Sequence, residues 1–304
     1  MKLALLVVLA GCSGIIENKA AESTFAVLEK SQIAAKRQPD LELARAAVPG
    51  GLLQLEAFAL AYPEHRGFRV MHAEALCQYA TAFVFDDWED ATLAKRDDAD
   101  RLGTRVRGLV AQCIEANLAL LPASWRSARA SGEWTQDLAK ATRDDVNALR
   151  WIATGDAVLL ALSPFARIAT FPAIDATLSR VIELAPGEHE SDAELMLGTL
   201  RAGRSQFLGG DDGSALFEKA RKDLGAGSLV ADVMFARALA VARKDRALFT
   251  STLERVLAAD VTAWPERRLA NELARVKAAR YLAAIDALIP VSTTRSSPDE
   301  RDDQ

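Results

Sequence analysis

The chain reads as an all-α protein: one domain built as a helical-hairpin array, an α-solenoid or bundle. Three observations predict this. Alanine is about a fifth of the 304 residues, while Gly (17) and Pro (10) are scarce, and alanine is the best helix former and lets helices approach closely. No window of more than four residues alternates apolar and polar side chains as a half-buried strand would. Proline and glycine mostly fall between the apolar-periodic stretches, where they end helices.

In order, the predicted helices span residues 22–37, 40–61, 66–85, 96–121, 134–162, 171–184, 188–205, 211–224, 228–243, 245–260 and 265–289. Pro63, Pro122, Pro164, Pro186, Pro265 and the Gly225-Ala226-Gly227 run punctuate them. Pro49 lies inside the second, which is therefore either kinked or two short helices. Leu197-Gly198 followed by Gly213, Phe217 and Ala220 has the small-and-aromatic spacing of a tetratricopeptide hairpin. Weaker versions precede Pro186 and Pro63. Residues 290–304 carry no large apolar side chain after Val291 and read as a disordered tail.

Hydrophobic residues make up 50% and charged residues 26%, an ordinary globular balance that excludes wholesale disorder. The formal net charge of -5 lacks the basic footprint of a general nucleic-acid binder. Three histidines leave little room for a histidine-based metal site.

The N-terminus assigns a compartment. Lys2 precedes the apolar stretch Leu3 to Ala10, and Leu9-Ala10-Gly11-Cys12 has the small-residue pattern of a signal-peptide cleavage site. It resembles a bacterial lipobox. Residues 1–11 then form a lipoprotein signal peptide, Cys12 carries the acyl chains (palmitate among them), residues 12–21 are a tether and 22–289 the helical domain. The apolar stretch is shorter than the roughly 20 residues a spanning helix needs. Ser13 in place of an aspartate favours the outer membrane, facing the periplasm. Cys77 and Cys113 remain. Hairpin geometry with helices ending at 85 and starting at 96 offsets them by about 12 Å at 1.5 Å per residue, more than the ~5.5 Å between disulfide-linked Cα atoms. The expectation is buried free thiols.

No phosphate loop, dinucleotide fingerprint or zinc-protease motif occurs, so no catalytic residue, cofactor or metal is assigned and the chain reads as a non-enzyme. Asp86-Asp87-Trp88-Glu89-Asp90 lacks the alternating ligands and glycine of a calcium loop and reads as a solvated helix terminus. Tyr79 and Phe83 share a face of the 66–85 helix, and Trp151 sits in the next helix but one. Core packing is the stronger reading for each singly; together, in a fold that makes concave surfaces, they are candidates for a ligand groove. The last helix carries two apolar stripes, Leu269, Leu273 and Val276 on one and Ala274, Ala278, Tyr281, Ile285 and Leu288 on the other. Arg268, Asn271 and Arg275 lie on its remaining face, which reads as a solvated face ahead of a polar mouth or an oligomer contact.

Several segments in order resemble the T component family of tripartite ATP-independent periplasmic (TRAP) transporters. They are Ala47-Val48-Pro49 through Tyr62-Pro63, the Ala80 to Phe85 helix end, Leu149-Arg150-Trp151, Gly209-Gly210 before Phe217 and Ala220, Asp245-Arg246 with Phe249, and Arg268-Leu269-Ala270-Asn271. Arg150 stands where the family usually has an aromatic, and residues 124–142 carry no alignable motif. The resemblance implies a tetratricopeptide-like periplasmic lipoprotein that forms a homotrimer and partners the transporter's extracytoplasmic solute-binding protein. It also implies help in passing a small apolar or organic-acid ligand, and it places Arg268 and Asn271 near the groove. The alternative is an envelope scaffold of the same fold with no ligand.

Overall fold

A computed structural model describes residues 4–291, with side chains described from Lys19 onward except that of Glu190. Met1–Leu3 and the tail beyond Val291 lie outside the described residues, as does the side chain of Cys12. The order is α1 (Ala4–Lys36), α2 (Leu41–Ala61), α3 (Arg66–Gln78), a π-turn (Tyr79–Val84), α4 (Phe85–Leu93), α5 (Ala99–Leu118), α6 (Ala123–Ser131), α7 (Trp134–Asp137), α8 (Val146–Leu162), α9 (Pro164–Arg167), α10 (Phe171–Leu184), α11 (Glu188–Leu208), α12 (Ser214–Leu224), α13 (Leu229–Phe235), a second π-turn (Ala236–Ala240), α14 (Arg246–Ala258), α15 (Arg268–Ala283) and α16 (Ile285–Leu288). No strand occurs among the described residues. No helix there is long and apolar enough to cross a membrane.

Local chemistry sets most ends. Asp40 caps α2 by accepting from the Glu42 and Leu43 amides at 2.9 and 3.0 Å. Asp245 caps α14 through the Leu248 amide. Pro49 sits inside α2, which runs unbroken past it. The expected 134–162 helix is instead α7, two 3₁₀ turns and α8. The capping box of Thr142 and Asp145 explains the restart, because each side chain satisfies the other's backbone amide.

The larger core spans the π-turn, α5, α8 and α10. Residues 124–142, without a motif in sequence, are part of it: Trp125 and Trp134 meet edge to face, and the Trp134 indole donates to Thr177 at 2.8 Å. A second core joins α13, α14 and α15, and a third joins α11, α12 and α13. In the third, the predicted hairpin is realised by close approach. Gly213 adopts φ +73°, and a Cβ there would stand 2.6 Å from the Gly198 carbonyl oxygen, a contact only glycine permits. Gly198 in turn lies beneath the Phe217 ring.

Three linked expectations are corrected. Cys77 and Cys113 form a disulfide, with Cα atoms 5.0 Å apart. The helix expected to end at 85 continues through the π-turn and α4 to Leu93. Cys77 thus lies 16 residues before one helix end and Cys113 14 after the next helix start, nearly level across the hairpin. For the same reason the acidic run is no solvated terminus. Asp86 is buried, bonded to Arg280 and 3.2 Å from Lys277. Glu89 takes Arg237 at 3.1 Å and the Tyr281 hydroxyl. This charged seam fastens α4 to α15 and the second π-turn, across 194 residues of sequence in the case of Arg280.

Candidate functional site

The sequence-predicted residues fall on the π-turn after α3, on α8 and on α15. An extra residue in a π-turn rotates the next stretch of helix about the axis, and such turns recur at functional sites. Here the turn starts at Tyr79 and contains Phe83, with ring centroids 6.3 Å apart. Both rings are buried in the larger core. Each is met by an arginine. Arg105 donates to the Tyr79 hydroxyl at 2.6 Å, and the Arg45 guanidinium lies 5.3 Å from the Phe83 centroid.

Trp151 is not part of that pair. It packs on Leu76 and the Cys77–Cys113 disulfide. The Arg150 guanidinium lies 4.4 Å from its ring, within cation–π range. The Trp151 indole N–H is buried and without a hydrogen-bond partner, as is one Asn117 oxygen; the Asn117 amide donates to Cys77 Sγ at 3.1 Å. Arg150 itself is only 2% exposed. It bonds Asp192 at 2.8 Å and Asn147 at 2.8 Å, with Glu74 at 3.6 Å. Burial pulls its pKa below the ordinary arginine value, and Asp192 and Glu74 offset part of that pull. Arg150 stands at the position where the sequence departs from the family pattern, and that departure was the available signal for it.

On α15 the two candidates part company. Arg268 makes a two-point contact with Glu272, at 2.8 and 2.7 Å, and is half-buried. Asn271 is buried and fully engaged: its amide donates to the Gly227 carbonyl and its oxygen accepts from the Leu229 amide, both at 3.1 Å. It pins the start of α13 to α15. The two stripes of α15 divide as the spacing predicts. Leu269 and Leu273 pack on the larger core, to which α2 contributes Ala44, Val48 and Leu52, while Ala274, Ala278 and Tyr281 enter the second. Val276 is half exposed. Helix α2 touches α3, the π-turn and α15, so it bridges the elements that carry Tyr79, Phe83 and Arg268. The Asn271 side chain is committed to α13 instead.

Two of the clefts on the surface of the described residues are well defined by their lining, and neither is lined by these five residues. One, of about 250 Å³, lies between Trp88, Gly103 and Leu162; the other, of about 460 Å³, lies between α10 and α11. No group of His, Cys, Asp and Glu among the described residues is arranged to hold a metal.

Fold and site together define a class: an all-α array of packed helical hairpins, with aromatic side chains gathered under arginines. Residues 37–288 match the family described as TRAP transporter T-component, and the chain belongs to that family, a transporter-component family rather than an enzyme family. A relative from Treponema pallidum (strain Nichols), described as an uncharacterized protein, is 27% identical over 257 residues, covering 81% of this chain and 79% of that protein.

Proposed function

We propose that this protein is a periplasmic lipoprotein accessory of a TRAP-type transport system, which binds the extracytoplasmic solute-binding protein and a small apolar or organic-acid ligand. The observation that carries the reading is the family match over residues 37–288. Acylation of Cys12 anchors the chain to the outer membrane, facing the periplasm. Homotrimer formation finds support in the apolar surface of α1 and α2, where Val27, Leu43, Leu53 and Leu60 are all more than half exposed. The ligand contacts are Tyr79, Phe83 and Arg268, on elements that α2 bridges; Trp151, packed on the disulfide, and Asn271, bonded to the start of α13, support the fold around them.

The scaffold reading draws on one observation: Tyr79, Phe83, Trp151 and Asn271 are all buried. Co-purification of the detergent-solubilised native protein, with mass spectrometry of bound proteins and small molecules, separates the two. A solute-binding protein together with a recurrent small molecule supports the transport reading; envelope assembly proteins with no small molecule favour the scaffold. Intact mass of the native chain tests the anchor, and a mass retaining an unmodified Met1 start rejects it.

A further inference from the structure

The cleft between α10 and α11 is far from a random hollow. Its floor is the Phe171 ring, Pro172 and Ala176; its walls carry Arg201, Arg204, Asp175 and Asp211. The two arginines differ. Arg201 is paired with both carboxylates: Asp175 takes it at two points, 2.9 and 3.0 Å, and Asp211 takes a third N–H at 2.7 Å. Those hydrogen bonds, Asp175's first, hold its pKa above the ordinary arginine value. Both carboxylates of the cleft are thereby spent on Arg201.

Arg204 has no such partner among the described residues. Its guanidinium lies 5.2 Å from the Phe171 centroid, and its Nε is buried without a hydrogen bond. The approach of the loop after α11 confines it, since a Cβ on Gly210, at φ +88°, would come within 3.3 Å of its terminal nitrogen. A cation held on an aromatic face, with donors unfilled, is a preformed half of a charge-assisted hydrogen bond. Exposed apolar side chains stand outside this lining, further along α11 and just before α10. Phe207 and Leu208, three and four residues on along α11, are 83% and 72% exposed, and Ile168, three before Phe171, is 53% exposed. Residues at three and four positions along a helix share its side, which puts Phe207 and Leu208 on the side of Arg204.

We infer that this cleft is a binding site for a small monocarboxylate with an apolar or aromatic body. The carboxylate pairs with Arg204 and the body lies along Phe171, Phe207 and Leu208. The volume of about 460 Å³ is in the range of small-molecule sites. One unpaired cation matches one negative charge, and a dicarboxylate would bring its second charge against Asp175 and Asp211. The site is separate from the residues under α2 and does not depend on the transport reading.

The test is isothermal titration of the full-length protein with 3-phenylpropanoate and with its uncharged analogue 3-phenylpropan-1-ol. The acid binds, the alcohol binds at least about tenfold more weakly, as expected for losing a charged hydrogen bond, and added salt weakens the acid. Arg204→Gln removes the preference for the acid. Phe207→Ser with Leu208→Ser, both on exposed positions, weakens acid and alcohol alike. Arg101→Gln, at an exposed arginine of α5 outside both sites, leaves both unchanged. Absence of acid binding, equal binding of acid and alcohol, or an acid preference that survives Arg204→Gln overturns the site. Loss of binding in Arg268→Gln but not in Arg204→Gln places the ligand under α2 and likewise overturns it. Circular dichroism melts of each variant confirm that binding is read on folded protein.

Discussion

The half of the molecule around α3, α5 and α8 and the half around α11 to α15 solve one problem in two ways. In the first, bulky side chains fill the space between helices: Trp125, Trp134, Leu149 and Ile152 are buried, and a disulfide ties α3 to α5. In the second, helices close on small residues. Gly198 and Gly213 touch backbone to backbone, and Ala236, Ala240, Ala274 and Ala278 sit at 0–2% exposure. Three phenylalanines of this half, Phe217, Phe235 and Phe249, fill what remains. Close-packed small residues leave no slack, so stability there rests on a few large rings, whereas the first half has a covalent reserve. Between them runs the charged seam of Asp86 and Glu89 with Lys277, Arg280, Arg237 and Tyr281.

The largest effect should come from a ring in the small-residue half. Phe217→Ala removes a side chain at 0% exposure and is expected to cost about 3–5 kcal/mol. Urea unfolding read by circular dichroism measures it; a cost near zero would show that the α11–α12 hairpin closes without the ring. Next comes the staple. Replacing Cys77 and Cys113 by alanine frees a loop of 36 residues, worth about 3–4 kcal/mol in the chain-entropy account. If the halves unfold separately, this change, made in a Trp264→Phe background because Trp264 packs on Gly227 in the other half, lowers only the transition reported by the fluorescence of Trp125, Trp134 and Trp151. One shared transition would show the seam couples them.

Asp86→Asn addresses the seam itself. Burial opposes the Asp86 charge, yet Lys277 and Arg280 outweigh it and hold the carboxyl below its ordinary value. A depressed carboxyl stabilises the fold above its unfolded pKa, and that contribution is lost as pH falls through the lower, folded value. The variant should lose about 1.5–3 kcal/mol at neutral pH and show a flatter acid limb below about pH 4. An unchanged acid limb would mean that the seam's carboxylate is not what acid titrates.

The smallest effect lies in the histidines. His189 is lowered to about 4, by burial first and then by the positive charges of Arg150 and Lys36; His72 is lowered by burial, with Glu56 opposing. A histidine with a depressed folded pKa makes the unfolded chain bind more protons, between about 4 and the ordinary 6.5 for His189. Stability therefore falls as pH drops through that window. His189 keeps an exposed edge, and solvent screening limits its share. The thermal midpoint should drop modestly from pH 7 to pH 5, and His189→Asn should shallow that slope. A slope the variant leaves unchanged would assign the window to other groups.

Much of the array was legible from the chain alone, because helix ends are local events. Pro63, Pro122 and Pro186 stand just past helix ends, as the missing N–H and fixed φ of proline require. The Gly198, Gly213 and Phe217 spacing named a hairpin that close packing then explains. The α15 stripes pointed to two packed sides, and both exist. The family, too, was written in short motifs along the chain. Less local features were not legible. The acidic run gave no sign that α4 continues to Leu93, because the partners that neutralise it, Lys277 and Arg280, lie some 190 residues away. The same continuation set the cysteines level and closed the disulfide. Nor could composition distinguish Asn271, engaged by two backbone groups, from Arg204, engaged by none: a polar side chain's availability depends on what the fold brings to it. Sequence determined the helices, their pairing signals and the family; tertiary structure decided which charges are spent and which are left to meet a ligand, since short-range periodicity is carried by neighbours in the chain and electrostatic pairing by neighbours in space.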